Sequence, residues 1–232
     1  MGRSSENDRL AAIEKELAEG WSYPAYDELR NLANAGYPRA QYRLGQMFER
    51  AEGVVQNLAD AVHWYRLAAD QNFAPAQARL GLIFFIDPPA AASISPDELD
   101  HVTSEESRPG GSMLERSFPR GFGVDKDYVE AAVWNKRAAE QGVAEAQARL
   151  GQQYALGAGL EKNLPEAKRW FTAAAEQDDA AGQAGLGVLY AGDFGTEPDY
   201  AQATVWLTKA IAAGNPTAQY SMSSLLDRKS VV

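Results

Sequence analysis

Two histidines, His63 and His101, stand in a chain of 232 residues, and there is no cysteine. That excludes thiol nucleophiles, disulfide staples and cysteine zinc sites. One stretch has the residue types for metal or acid–base chemistry: Asp97, Glu98, Asp100, His101, Glu105 and Glu106. A metal wants its donors on one side, whereas on a helix these six spread round the cylinder. The stretch reads as a solvated acidic helix. His63 precedes a tryptophan, and in three similar segments the same slot holds Val133, Arg169 and Val205. It is a variable flank, not a shared site. The glycines of "GFG" (121–123) and "GAG" (157–159) recur at turns and make no phosphate cradle. We expect no catalytic residue, no metal ligand and no cofactor.

The net charge of −10 opposes binding to nucleic acid or anionic lipid. The longest apolar run, Leu80–Ile86, falls far short of the roughly 20 residues of a membrane span. The opening "MGRSSENDRL" has no apolar signal core. The expected location is the cytoplasm, with periplasm or export the alternative if a leader has been removed.

Elements that could position a site emerge from spacing. "AQARLG" occurs at 76–81 and again at 146–151. The leucines Leu44, Leu80, Leu150 and Leu186 and the tryptophans Trp64, Trp134, Trp170 and Trp206 share one period, broken once. Residues 114–135 overlay 44–65 without a gap, so Leu114 falls at the leucine position. Such periodicity marks a repeat array. In each first helix, Ala40, Leu44 and Phe48 (or Ala146, Leu150 and Tyr154) share one face. Gly45, Gly81, Gly151 and Gly187 follow the leucine. Glycine costs a helix about 1 kcal/mol relative to alanine, so four at one position predict a close neighbour. The second helix opens on Asn57, Asp127, Asn163 or Asp199, with Asp60, Glu130, Glu166 or Gln202 three residues on. That is a capping-box pattern. Its stripe is Ala61, Trp64 and Ala68, or Ala131, Trp134 and Ala138, with the tryptophans read as core. It ends near Asn72, Gly142, Asp178 or Gly214, residues that tolerate left-handed backbone. One such pair cannot bury its apolar face alone, so pairs must stack into an all-α solenoid.

Segments 40–72 and 146–178 resemble the Sel-1-like repeat, a relative of the tetratricopeptide repeat. The resemblance covers about residues 25–226, less the stretch near 87–113. Two departures, Gly182 for the first alanine and "DFGT" (193–196) for G-x-G-V, put one local turn in doubt. The resemblance implies stacked antiparallel helix pairs in a right-handed superhelix, with first helices lining a concave groove. The groove-facing residues would be Arg39, Tyr42, Gln46 and Glu49, then Ala78, Leu82 and Phe85, then Glu145, Ala148 and Gln152. "LGLIFFID" holds more apolar residues than one face buries, so Leu82 or Phe85 is expected to be exposed, as a partner site or beneath the 87–112 segment.

The whole chain, 1–232, reads as a single repeat domain. Residues 5–24 form an N-terminal cap helix, with Leu10, Ile13 and Leu17 on one face and Trp21 beside it. Repeats run over 25–86 and 114–214. Residues 87–113 are a degraded repeat or an insertion, with a short helix over about 96–106. Residues 215–232 form a C-terminal cap helix, with Met222, Leu225 and Leu226 facing the stack; truncation of the chain is the alternative. The expected function is a non-enzymatic protein-interaction scaffold or adaptor, monomeric or weakly self-associating, with a protein partner in the groove. The alternatives are an immunity or inhibitor protein against a cognate toxin and, third, a hydrolase like that proposed for cysteine-rich relatives.

Overall fold

The structure, a computed structural model, describes residues 2–20, 22–86 and 125–229. Trp21, Leu114, the helix expected over 96–106 and the acidic stretch around His101 lie outside the described residues. Among the described residues there are eleven helices and no strand. They are α1 (Gly2–Glu19), α2 (Tyr23–Asn34), α3 (Pro38–Arg50), α4 (Leu58–Asp70), α5 (Ala74–Ile83), α6 (Tyr128–Glu140), α7 (Ala144–Leu156), α8 (Leu164–Ala175), α9 (Ala180–Tyr190), α10 (Tyr200–Ala212) and α11 (Pro216–Lys229).

The described residues fall into two compact units. One runs to Ala76; the other holds Gln77–Phe85 and everything from Asp127 on. In the first, α1 to α4 pack in sequence around Leu10, Ile13, Leu29, Leu32, Leu44 and Met47. In the second, α6 to α11 pack in sequence, and the first helices α7 and α9 also pack on each other. The second helices α6, α8 and α10 lack such close mutual packing, so the first helices stand nearer together.

The expected caps are present. The side chains of Asn57, Asp127, Asn163 and Asp199 accept from the backbone N–H three residues on, at 3.1, 2.9, 3.1 and 3.0 Å. In the first of these caps the return contact runs between side chains, Asn57 Nδ2 donating to Asp60 Oδ2 at 2.8 Å. The backbone N–H of each cap residue donates to a carbonyl on the first helix or, for Phe84, just past its end: Phe48, Phe84, Tyr154 and Tyr190, at 2.9, 3.0, 2.9 and 2.8 Å. The cap thus ties the two helices of a pair together as well as starting the second. At the far ends, Asn72, Gly142, Asp178 and Gly214 take φ of 63°, 88°, 59° and 81°. The "DFGT" departure leaves the next cap at Asp199 unchanged. There Thr196 Oγ1 donates to the Leu189 carbonyl at 2.7 Å.

The glycine register has the predicted cause. A Cβ on Gly45 would lie 2.6 Å from Tyr65 Cε1, one on Gly151 2.7 Å from Phe171 Cδ1, and one on Gly187 2.6 Å from Leu207 Cδ2. A Cβ on Gly81 would collide with the Asn135 amide. The large side chain buried most deeply on the second helix is therefore that of the residue after the tryptophan, beside the stripe alanines. Tyr65, Asn135 and Leu207 are 0 % exposed, whereas Trp64 and Trp206 are only half-buried. Trp134 and Trp170 are buried as expected. At the C-terminal end Leu225 is buried and Met222 half-buried. Leu226, expected to face the stack, is exposed, lying roughly 100° round α11 from the buried Leu225.

A second register comes from the buried glutamines Gln41, Gln77, Gln147 and Gln183. Gln41 and Gln147 donate to the carbonyls of Ala33 and Ala139, near the end of the preceding second helix. Gln41, Gln77 and Gln147 each accept from a glutamine just past the following second helix: Gln71, Gln141 and Gln177, at 2.8, 2.6 and 2.8 Å. The amides of Gln41, Gln77 and Gln147 thus join helices distant in sequence.

Candidate functional site

All ten residues assigned to the groove lie on first helices or just past one, and all but Ala148 keep some exposure, Ala78 being half-buried. Arg39, Glu145 and Gln152 are exposed, and Tyr42, Gln46, Glu49, Leu82 and Phe85 are half-buried. Ala148, also expected there, is buried, because its side chain turns into the packing between helices.

In the first unit, Tyr42 meets the rings of Tyr65 and Phe73 at 5.4 and 5.5 Å between centroids. The Tyr65 hydroxyl donates to Glu49 Oε2 at 2.6 Å. The structure therefore brings Tyr42 and Glu49 together through a residue of α4 that the spacing had not singled out. Arg39 pairs with Glu14 at 3.2 Å. Elsewhere in this unit a cavity of about 330 Å³ is lined by Leu17, Met47, Arg43 and Glu52, the last two forming an ion pair. In the second unit, Phe85 packs edge-on against Tyr128, with centroids 5.5 Å apart. That contact half-buries a side chain for which the sequence suggested exposure.

The most unusual chemistry lies in a polar core that composition alone did not reveal. Asn135, at the slot of Tyr65 and Phe171, sends Nδ2 to Gln153 Oε1 at 2.9 Å and to the Gly81 carbonyl at 3.4 Å. Arg149 donates from Nε to Asn135 Oδ1 at 3.1 Å and from Nη2 to the Ala78 carbonyl at 2.9 Å. Gln153 Nε2 donates to the Tyr128 and Ala158 carbonyls. Burial is the main reason the Arg149 guanidinium drops to about 10. Glu145 and Asp179 oppose the drop, and Arg79 adds to it. It stays charged at neutral pH, held by neutral acceptors. The network is a strut joining α5, α6 and α7. The signal was available: asparagine stands where the other repeats place tyrosine, phenylalanine or leucine.

His63 is exposed and stacks edge-on against Trp64. Among the described residues no group of three or more histidines and carboxylates could hold a metal ion.

The repeat pattern matches the Sel1 repeat over residues 38–73, 120–143, 144–179 and 180–215, more than half of the chain. The chain belongs to the Sel1 repeat family. Among solved structures, it resembles a protective antigen of uropathogenic Escherichia coli displaying an SLR fold. The TM-score is 0.64 and the identity 28%, over 88% of this chain and 36% of that one. It also resembles a Sel1 repeat protein from Oxalobacter formigenes, with TM-score 0.61 and 29% identity over 87% of this chain and 69% of that one. The fold is thus the all-α Sel1 solenoid. Among curated proteins, it is 28% identical to the chitin synthase regulator SKT5 of Malassezia restricta over 127 residues, 53% of this chain and 9% of that protein. It is 27% identical to an uncharacterised protein of Neisseria meningitidis serogroup B over 126 residues, 54% of this chain and 26% of that one. The chain therefore spans a minor part of either relative. Sel1 repeat proteins generally mediate protein–protein interaction and typically serve as non-catalytic scaffolds. No helix among the described residues is long and apolar enough to cross a membrane.

Proposed function

We propose that this chain is a non-catalytic scaffold that holds a protein partner on the groove faces of its first helices. The supporting observation is a division of labour within the repeat. The positions that recur, such as Leu44, Leu80, Leu150 and Leu186, are buried and serve packing. The positions that change, from Arg39, Tyr42, Gln46 and Glu49 to Ala78, Leu82 and Phe85 and then to Glu145 and Gln152, keep some exposure, with the buried Ala148 the exception. A surface that varies on a repeating frame suits recognition. The similarity to a chitin synthase regulator is consistent with an adaptor that acts on another protein.

The test is affinity capture from a lysate of the protein's own source, followed by identification of the partner. Two variants run in parallel, Tyr42→Ala and the pair Leu82→Ser with Phe85→Ser, each checked for helicity by circular dichroism. Loss of a stoichiometric partner from either helical variant supports the groove reading. Full retention by both refutes it.

A further inference from the structure

One helix pair of the second unit is joined by an unusually long route. In three pairs the cap N–H and the carbonyl it meets (Asn57 and Phe48, Asn163 and Tyr154, Asp199 and Tyr190) are linked by a single turn. Asp127 meets Phe84 at 3.0 Å in the same way, yet Ile86–Lys126 runs between them. The rest of the pair is like the others. Gln141 donates to Gln77 at 2.6 Å, where Gln71 and Gln177 donate to Gln41 and Gln147 at 2.8 Å. Leu80, Ile83 and Phe84 are buried. The connection therefore does not set the geometry of α5 on α6.

A connection still affects how firmly two helices stay together. Closing a loop costs entropy that rises with its length, so a short turn favours docking more than a long one. At this pair, side chains add bonds to the main chain of α5. Arg149 Nη2 donates to the Ala78 carbonyl at 2.9 Å, and Asn135 Nδ2 to the Gly81 carbonyl at 3.4 Å. Arg149 Nε holds Asn135 Oδ1 at 3.1 Å, so one network ties α5 to both α6 and α7. The neighbouring pair α7–α8, joined by a single turn, is built differently. There the slots of Asn135 and Arg149 hold Phe171 and Gly185, which have no polar side-chain atom. The strut thus stands at the pair whose helices the chain joins only distantly.

We infer that the Asn135–Arg149 strut does for α5 what a short turn does for other first helices, so that α5 stays docked on α6 and α7 when the chain between Ile86 and Lys126 is cut. The second unit, which holds Gln77–Phe85 and resumes at Asp127, is then closed by side chains rather than by chain continuity. Cleavage within the connection leaves Leu82 and Phe85 where they are. The inference rests on the packing of α5 and is independent of the groove reading.

The test places the recognition sequence of a site-specific protease midway between Ile86 and Lys126 in the full chain. Before cutting, circular dichroism should match that of the unaltered chain. After cutting, the two pieces are expected to run as one complex at micromolar concentration. Hydrogen–deuterium exchange is expected to find the α5 amides as protected as before. Arg149→Met removes the bonds to Ala78 and Asn135. It should speed α5 exchange modestly in the uncut chain and by about tenfold more in the cut one. Leu207→Ala, on α10, destabilises the same unit without touching α5, and its effect on α5 should not depend on the cut. The inference is overturned if the pieces separate or α5 loses protection when the chain with its strut intact is cut. It is equally overturned if the cut acts alike on Arg149→Met and Leu207→Ala. An uncut insertion chain that fails to fold also overturns it, because the connection would then shape the pair.

Discussion

The pairs α5–α6 and α7–α8 answer one packing problem in two ways. In both, a glycine on the first helix lets the second helix approach closely. Over Gly151 lies the Phe171 ring; over Gly81 lies the Asn135 amide. The phenylalanine needs only volume. The asparagine needs every partner it has, because its slot is 0 % exposed, and Arg149 and Gln153 supply them. The frame therefore tolerates a polar residue at its deepest point only where neighbouring positions are polar too. An apolar core degrades gradually with lost volume, whereas a polar network fails when one member is removed.

Four substitutions probe that contrast, each read from urea denaturation. Phe171→Ala should cost most, about 3–5 kcal/mol, through lost burial and a cavity. Asn135→Ala should cost about 1–3 kcal/mol, because Arg149 Nε and Gln153 Oε1 lose their partner. A cost for Asn135→Ala as large as for Phe171→Ala would mean that volume, not polarity, dominates both slots. The glutamine register gives a test of opposite sign. Gln147 accepts from Gln177, but Gln183 Oε1 is buried and unpartnered, because Ala213 stands where the other repeats have glutamine. Ala213→Gln should therefore stabilise by about 1 kcal/mol. A destabilised Ala213→Gln chain would show that the end of the array has repacked around the gap. Smallest is Asp178→Gly, which relieves a φ of 59° and should gain about 0.5 kcal/mol.

Much of this frame was legible because a repeat states its rules several times. Four Asn or Asp residues at one slot predicted four caps, and four glycines predicted four close approaches. Reading stopped where a residue's role depends on what lies opposite. The tryptophans advertised themselves by rarity, yet the deeper slot is the next one, whose occupants Tyr65, Asn135, Phe171 and Leu207 share no chemistry. The capping-box pattern likewise gave no sign that each cap N–H also ties to a carbonyl at the end of the neighbouring first helix. Of the groove residues that the resemblance implied, Arg39, Glu145 and Gln152 lie on an accessible surface. The resemblance did not foresee that Tyr65 links Tyr42 to Glu49, nor that Tyr128 covers one side of Phe85.

The central claim is that the first helices, not the second, meet the groove partner. Hydrogen–deuterium exchange of the chain, with and without the captured partner, tests it most directly. The account predicts added protection in α3 and α7 and around Leu82 and Phe85. Protection confined to α4, α6, α8 and α10 would contradict it.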